Sequence, residues 1–355
     1  MRRSRSNRRN LFFVILLITY ILFYWYIFKA TNANKRDQAE EQAYLHAVRE
    51  SLPMIYNPKL CSSDKIDLLF LIFSSDSHIL ERHSIRETWA SMSNVFNVHS
   101  QHLFVLGYQH GSNLYEYISN EAKREQDILY LTVDDYGQTT KELHAYRWLE
   151  KFCPNVTFTF KTEDNNVVNS ILLHKIIAEL KTNTSQSENR YLYRSSLSSL
   201  FLAQLNSDSH KFLFGWPVVN KPERDSRNIL YYVSYDEYPR EFYPRYCSSV
   251  GYLMNSATRK LITAEGFKEK KPFRIADVYL TGILPERLNF TCDLLPFTYY
   301  PGTVEECISM IARYTIILCT IRPHVNQNTF LDYYRIWRTL KDVYGDTIDA
   351  KQNKS

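Results

Sequence analysis

No Cys-X-X-Cys pair occurs in this 355-residue chain, and no internal repeat is visible. The first absence argues against a structural zinc site, whose thiolates usually come in such close pairs. The six scattered cysteines, Cys61, Cys153, Cys247, Cys292, Cys307 and Cys319, instead suit disulfides in an oxidising compartment. Spacing alone leaves their pairing open. An excess of positive charge is also missing once the first ten residues are set aside. The formal net charge is +5, and Arg2, Arg3, Arg5, Arg8 and Arg9 supply as much, so the rest of the chain is close to neutral. Nucleic acid is therefore not an expected partner.

A cleavable leader would need small residues after its apolar stretch, and here they are absent: Tyr24, Trp25, Tyr26 and Phe28 stand in their place. Leu11 to Phe28 is an uninterrupted apolar and aromatic run, about 27 Å long as a helix, which matches a thin bilayer core. Five arginines precede it, while mixed charges follow (Lys29, Lys35, Arg36, Asp37, Glu40, Glu41). The positive-inside rule then keeps the N-terminus cytosolic and everything after Phe28 lumenal. The expected organisation is a cytosolic tail (1–10), a signal anchor (11–28), a polar stem (29–60), one large domain (61–345) and a short tail (346–355). Asn155-Val-Thr, Asn183-Thr-Ser and Asn289-Phe-Thr are glycosylation triplets compatible with that topology.

In the large domain, strand patterns alternate with helix patterns. Strands are expected at Ile66–Phe73, His102–Gly107, Ile128–Val133, Val156–Phe160 and Ile229–Ser234. Helices are expected at Ile79–Ala90, Leu114–Gln126, Thr139–Phe152, Val167–Leu180 and Thr329–Tyr344. The alternation predicts an α/β fold with a mostly parallel sheet and helices on both faces.

Four stretches carry chemistry. Lys161-Thr-Glu-Asp-Asn165 follows an apolar strand pattern, where α/β enzymes often hold a nucleotide and its metal. Arg82 and Arg86, four residues apart on a helix, share one face and would grip a diphosphate. Tyr243-Pro-Arg-Tyr-Cys-Ser-Ser-Val-Gly-Tyr252 reads as an aromatic loop able to stack a sugar. Asp277 opens the apolar segment Ile275–Gly282. Each alone also has an ordinary structural explanation: a charged helix face, a helix cap or a packed turn.

Taken in order, these stretches resemble the β-1,3-glycosyltransferase family of the β-1,3-galactosyltransferase type. Its RxxIRxTW motif corresponds to Arg82–Trp89 and its lysine-led acid motif to Lys161–Asn169. Its YPxYxxGxGY motif corresponds to Tyr243–Tyr252, and its EDV motif with a following glycine to Ala276–Gly282. The resemblance implies a GT-A fold, a nucleotide-diphospho-sugar transferase architecture, in a single-pass type II Golgi membrane enzyme. Such an enzyme moves galactose or an N-acetylhexosamine from a UDP-sugar to the 3-hydroxyl of a glycan on glycoprotein or glycolipid, with inversion and usually with manganese. It also implies roles. Asp277 would be the general base, and Arg82, Arg86, Lys161, Glu163 and Asp164 would face the donor. Asp164, Asn165 and His324 would ligate the metal, and Tyr246, Gly251 and Tyr252 would line the acceptor cleft.

The chain departs from the family at Asn165, where an amide replaces a ligating carboxylate, and at Ala276, where the acid beside the presumed base is missing. Glu163 stands for Asp and Ser249 for Gly. Losing a negative charge at a hard-cation site should weaken metal binding. Two readings follow: an active inverting transferase, or a non-catalytic lumenal protein that binds glycans or stabilises another transferase.

Overall fold

The structure is a computed structural model. It describes residue 24 and residues 52–61, 65–135, 137–182, 211–229, 231–295, 298–300, 302–311, 313, 316–321 and 330–345. Among these no helix is long and apolar enough to cross a membrane. The run 11–28 lies outside them except for Tyr24, and His324 lies outside them altogether.

The centre of the domain is β2 (Leu68–Phe73), whose six residues, Leu-Leu-Phe-Leu-Ile-Phe, are all buried. A strand apolar on both faces belongs in the middle of a covered parallel sheet. β4 (Val98–Tyr108) and β6 (Phe158–Glu163) flank it in parallel, Leu68 pairing with Ser100 on one side and Phe158 on the other. Next to β4 lies parallel β5 (Ile128–Asp134), and β1 (Met54–Tyr56) closes that side antiparallel. A short β3 (Asn94–Val95) also pairs with β4.

Beyond β6 the sheet changes character. β9 (Tyr246–Asn255) runs antiparallel to both β6 and β8 (Leu213–Val218), and β10 (Asp293–Leu294) adds a parallel edge. The sheet is thus mixed, parallel around β2 and antiparallel around β9. A second, small sheet joins β7 (Asn166–Val168), β12 (Ile316–Thr320) and β11 (Thr298–Tyr300).

Several sequence expectations shift. The strand pattern placed at Val156–Phe160 runs instead to Glu163, so three residues of the acidic stretch are strand and only Asp164-Asn165 turn the chain into β7. The stretch Tyr243–Tyr252 is largely β9, not a loop. Ile229–Ser234 forms no strand: only an isolated bridge joins Glu223 and Tyr232, and Ile229 is exposed.

Helices cover the sheet. α1 (Ile79–Glu87) is followed by Trp89, fully buried and edge-on to Phe70 at 5.5 Å. α2 (Tyr115–Glu125), α3 (Gln138–Phe152) and α4 (Ser170–Thr182) occupy the later crossovers. After β9 come α5 (Ser256–Gly266), whose Asn255 side chain caps it by accepting from the Thr258 N–H at 2.8 Å, and a helical run from Ala276 to Arg287 with a π turn at Tyr279–Ile283. α6 (Phe330–Tyr344) packs on the core through Tyr333, Ile336, Trp337 and Leu340. The six cysteines pair as Cys61–Cys153, Cys247–Cys292 and Cys307–Cys319, the second tying β9 to the start of β10. Asn155 and Asn289 are both exposed, as glycosylation would require.

Candidate active site

Parallel strands β2, β4, β5 and β6 end on one edge of the sheet, and the segments that follow them meet there. The Asp164 N–H donates to the Phe73 carbonyl at 3.0 Å, so the turn after β6 is fastened to the end of β2. A cavity of about 270 Å³ opens at this edge. It is lined by Phe73, Ser74, Ser75 and His78 after β2, by Lys161, Glu163, Asp164 and Asn165 at the end of β6, and by Gln138, Lys141 and Glu142 of α3. Those three α3 positions are spaced i, i+3, i+4, which puts them on one helix face.

The charges in this cavity are held by few partners. Lys161 is buried, donates to the Ser249 carbonyl at 3.1 Å and lies 3.6 Å from the Glu163 carboxylate. His78 Nδ1 and Asp164 Oδ2 are 2.8 Å apart. That bond raises the His78 pKa above its ordinary value, against the opposing effect of burial. Asn165 Oδ1 is buried and has no hydrogen-bond partner among the described residues. A buried acceptor left unpaired costs on the order of 1–3 kcal/mol, a cost that a ligand donor or cation would relieve.

Asp277 lies in the same electrostatic neighbourhood. Its carboxylate accepts the Val278 N–H at 2.9 Å. Burial pushes its pKa up to about 6; Lys161 and the Val278 N–H oppose this, while Glu142 and Glu163 add to it. A carboxylate so tuned is still ionised at neutral pH yet far more basic than an exposed one, which suits proton abstraction. The backbone around it is fixed: the Thr281 hydroxyl donates to the Asp277 carbonyl at 2.5 Å and accepts the Cys247 N–H at 2.9 Å.

The two arginines expected to grip a diphosphate do share a helix face, but it is an internal one. Arg82 is 0% exposed and donates to both Glu121 oxygens at 3.0 and 2.7 Å, to the Ser74 hydroxyl and to the Ser75 carbonyl. Arg86 donates to Asp127 at 2.6 and 2.8 Å and to Glu121 at 2.8 Å. Burial alone would raise the Asp127 carboxyl, but bonds from His102 and Arg86 hold it down at about 2. With their donors spent on these carboxylates, Arg82 and Arg86 are scaffold, not donor-binding groups. Arg82 still shapes the cavity indirectly, because it holds Ser74 and Ser75 in its rim.

The acceptor-lining expectation is corrected in the same way. Tyr252 is 0% exposed, its hydroxyl bonded to Glu142 and, at 2.7 Å, to Tyr146. Gly251 is needed for packing, since a Cβ there would sit 2.9 Å from the Phe160 ring and 3.0 Å from Leu318. Tyr246 is buried and its hydroxyl accepts from Asn220 at 2.9 Å; burial raises its pKa and the Asp277 charge adds to the rise. These residues lie on a strand whose faces are covered, and so have no free surface for a sugar.

Sequence reasoning missed His78, Lys141 and Glu142. Lys141 is buried and pairs with Asp135 at 2.7 Å, and Glu142 accepts from two tyrosines while facing the cavity. A lysine–glutamate pair opening the helix after β5 was the available signal, but only the crossover brings it to β6.

With this geometry in place, similarity to known proteins can be weighed. The galactosyltransferase family model matches residues 80–293, more than half of the chain, and the chain belongs to that family. It is 25% identical to beta-1,3-galactosyltransferase 5 of Homo sapiens over 284 residues, 79% of this chain and 80% of the relative. It is 26% identical to UDP-GalNAc:beta-1,3-N-acetylgalactosaminyltransferase 1 of Homo sapiens over 335 residues, 86% of this chain and 88% of the relative. Among solved structures, the apo bifunctional glycosyltransferase WbbM aligns with TM-score 0.40 at 9% identity over 81% of this chain and 51% of its own, too distant to bear on the fold.

Proposed function

We propose that the protein is an inverting β-1,3-hexosyltransferase of GT-A type, moving galactose or an N-acetylhexosamine from a UDP-sugar to the 3-hydroxyl of a glycan on glycoprotein or glycolipid. The single observation that carries this reading is the buried Asp277 carboxylate, raised to about 6, beside a cavity that holds the family's lysine and acid motif. In this scheme Asp277 takes the proton from the acceptor hydroxyl as that oxygen attacks the anomeric carbon, and the nucleoside diphosphate leaves on the opposite side. Lys161 lies 3.6 Å from Glu163 and favours the ionised form of Asp277, and the Val278 N–H donates to that carboxylate.

Among the described residues no three His, Cys, Asp or Glu side chains gather to hold a metal ion by themselves. The oxygens of Asp164 and the unpartnered Asn165 nevertheless fit a hard divalent ion that shares its remaining positions with a diphosphate, the usual arrangement at nucleotide sites. Manganese bound there would neutralise charge on the leaving diphosphate. The apolar run Leu11–Phe28 supports single-pass type II anchoring in the Golgi membrane, with the domain lumenal.

The test is release of UDP from UDP-galactose, UDP-GalNAc and UDP-GlcNAc by full-length protein in detergent, with a panel of glycan acceptors. Acceptor-dependent release that Asp277→Asn removes supports the reading. A second reading, a non-catalytic glycan-binding or transferase-stabilising protein, draws on Asn165 and Ala276. Undetectable UDP release from all three donors, with glycans still bound, would favour it.

A further inference from the structure

The turn after β6 and the segment after β2 are neighbours because β2 and β6 pair in register, Phe73 opposite Glu163. That pairing delivers His78 to Asp164, with Nδ1 and Oδ2 2.8 Å apart. The ring is not an incidental surface group. It lines the same cavity as Lys161, Glu163, Asp164 and Asn165, and its side chain is 44% exposed while Asp164 is nearly covered. No partner of Nε2 is found among the described residues. One ring nitrogen is thus fixed by a carboxylate and the other is free, which is how ligating histidines are commonly oriented in metalloproteins. In the same cavity lining, the buried Asn165 Oδ1 finds no hydrogen-bond donor among the described residues.

We propose that His78 is a ligand of the donor site's divalent cation, held by Asp164 through Nδ1 and offering Nε2, so that an imidazole joins the site in which Asn165 supplies only a neutral carbonyl. This rests on the UDP-sugar reading above, because the diphosphate completes the coordination. A nitrogen ligand among oxygens changes the preference of the site. Carboxylate, carbonyl and water suit magnesium, calcium and manganese, whereas imidazole suits first-row transition ions such as zinc, iron and nickel and has little to offer magnesium. The site should therefore discriminate against magnesium more than an all-oxygen site would.

The test uses full-length protein in detergent with Mn2+ and UDP. Binding of Mn2+ is followed by loss of the free-ion electron paramagnetic resonance signal, and its ligands by nitrogen modulation of the electron spin echo. The proposal expects Mn2+ binding that requires UDP, with nitrogen modulation from a directly bound imidazole. His78→Gln, which keeps a polar side chain on a half-exposed position, should abolish the modulation, weaken Mn2+ binding about tenfold and narrow the preference for Mn2+ over Mg2+. His78→Asn serves as a second variant, and UDP-free melting checks that both fold. Absent modulation in the wild type, or modulation unchanged in both variants, overturns the proposal. If UDP raises the melting temperature without Mn2+ binding, the His78 assignment fails and the donor reading survives. If UDP does not bind either, both fall.

Discussion

Two groups of charged residues are built on opposite principles. In the first, Arg82, Arg86, Glu121 and Asp127 form a buried network in which both guanidinium groups are satisfied by carboxylates, and each carboxylate takes more than one bond. In the second, among the described residues, Asp277 is buried without a direct cationic partner, Asn165 Oδ1 has no donor, and His78 uses one nitrogen. The first group has depressed carboxyl pKa values and the second a raised one, although both are shielded from water. The difference separates framework from site: charges that are already paired have nothing left to offer a substrate, and under-satisfied ones do.

The largest expected effect is on turnover. Asp277→Asn should lower kcat/KM by about 10²–10⁴-fold, the usual value of a positioned general base. Steady-state UDP release checks it, and a loss below tenfold would break the contrast. Arg82→Ala comes next. It leaves buried Glu121 with Arg86 as its remaining cation and should destabilise by about 3–5 kcal/mol, measured by denaturant unfolding, with a smaller loss of activity in the folded fraction as Ser74 and Ser75 lose their anchor.

The Asp277 shift also has a stability consequence. Its folded pKa lies above the unfolded value near 3.9, so from about pH 4 to 6 the folded protein binds more protons than the unfolded chain, and stability falls as pH rises through that window. The full effect is on the order of 3 kcal/mol as an upper bound, and Asp277→Asn should flatten it, leaving the variant more stable than wild type at pH 7 even as activity is lost. Melting curves across pH 4–8 for both proteins decide the matter. Wild-type kcat/KM should rise through about pH 6 as the base ionises.

Asn165→Asp restores a full negative charge to the cavity. Mn2+ affinity in the presence of UDP should rise about tenfold, or ~1.4 kcal/mol. The smallest change is Tyr246→Phe, which removes one hydrogen bond to Asn220 and should cost about 0.5–1.5 kcal/mol of stability without raising KM for acceptor. A large KM increase would reinstate Tyr246 as an acceptor contact.

How far the sequence reveals this arrangement depends on whether a feature is local. The strands β2 and β5 are legible because their apolar runs are short and bounded, and the acid stretch at β6 is legible because it follows one. The stretch Tyr243–Tyr252 misleads because Pro244, Ser248, Ser249 and Gly251 are turn-forming residues, yet its partners β6 and β8 hold it extended, and Gly251 is required by Phe160 packing. Arg82 and Arg86 show the converse: helix spacing gives their shared face correctly, but which side of the helix is interior depends on Glu121 and Asp127, roughly forty residues away in the chain. His78 has no local signature and the Lys141–Glu142 pair only a faint one, since the pairing of β2 with β6 and the crossover after β5 are what bring them to the cavity.

The measurement that bears most directly on the cavity as a donor site is the melting temperature of the full-length protein in detergent with UDP, with Mn2+ or with chelator. A ligand bound only by the folded state must stabilise it, by about 2.7 kcal/mol at a hundredfold excess over Kd. The account predicts a rise with UDP and Mn2+ that chelator reduces and that Asp164→Ala largely removes. A cooperative transition that UDP leaves unmoved under both conditions would contradict it.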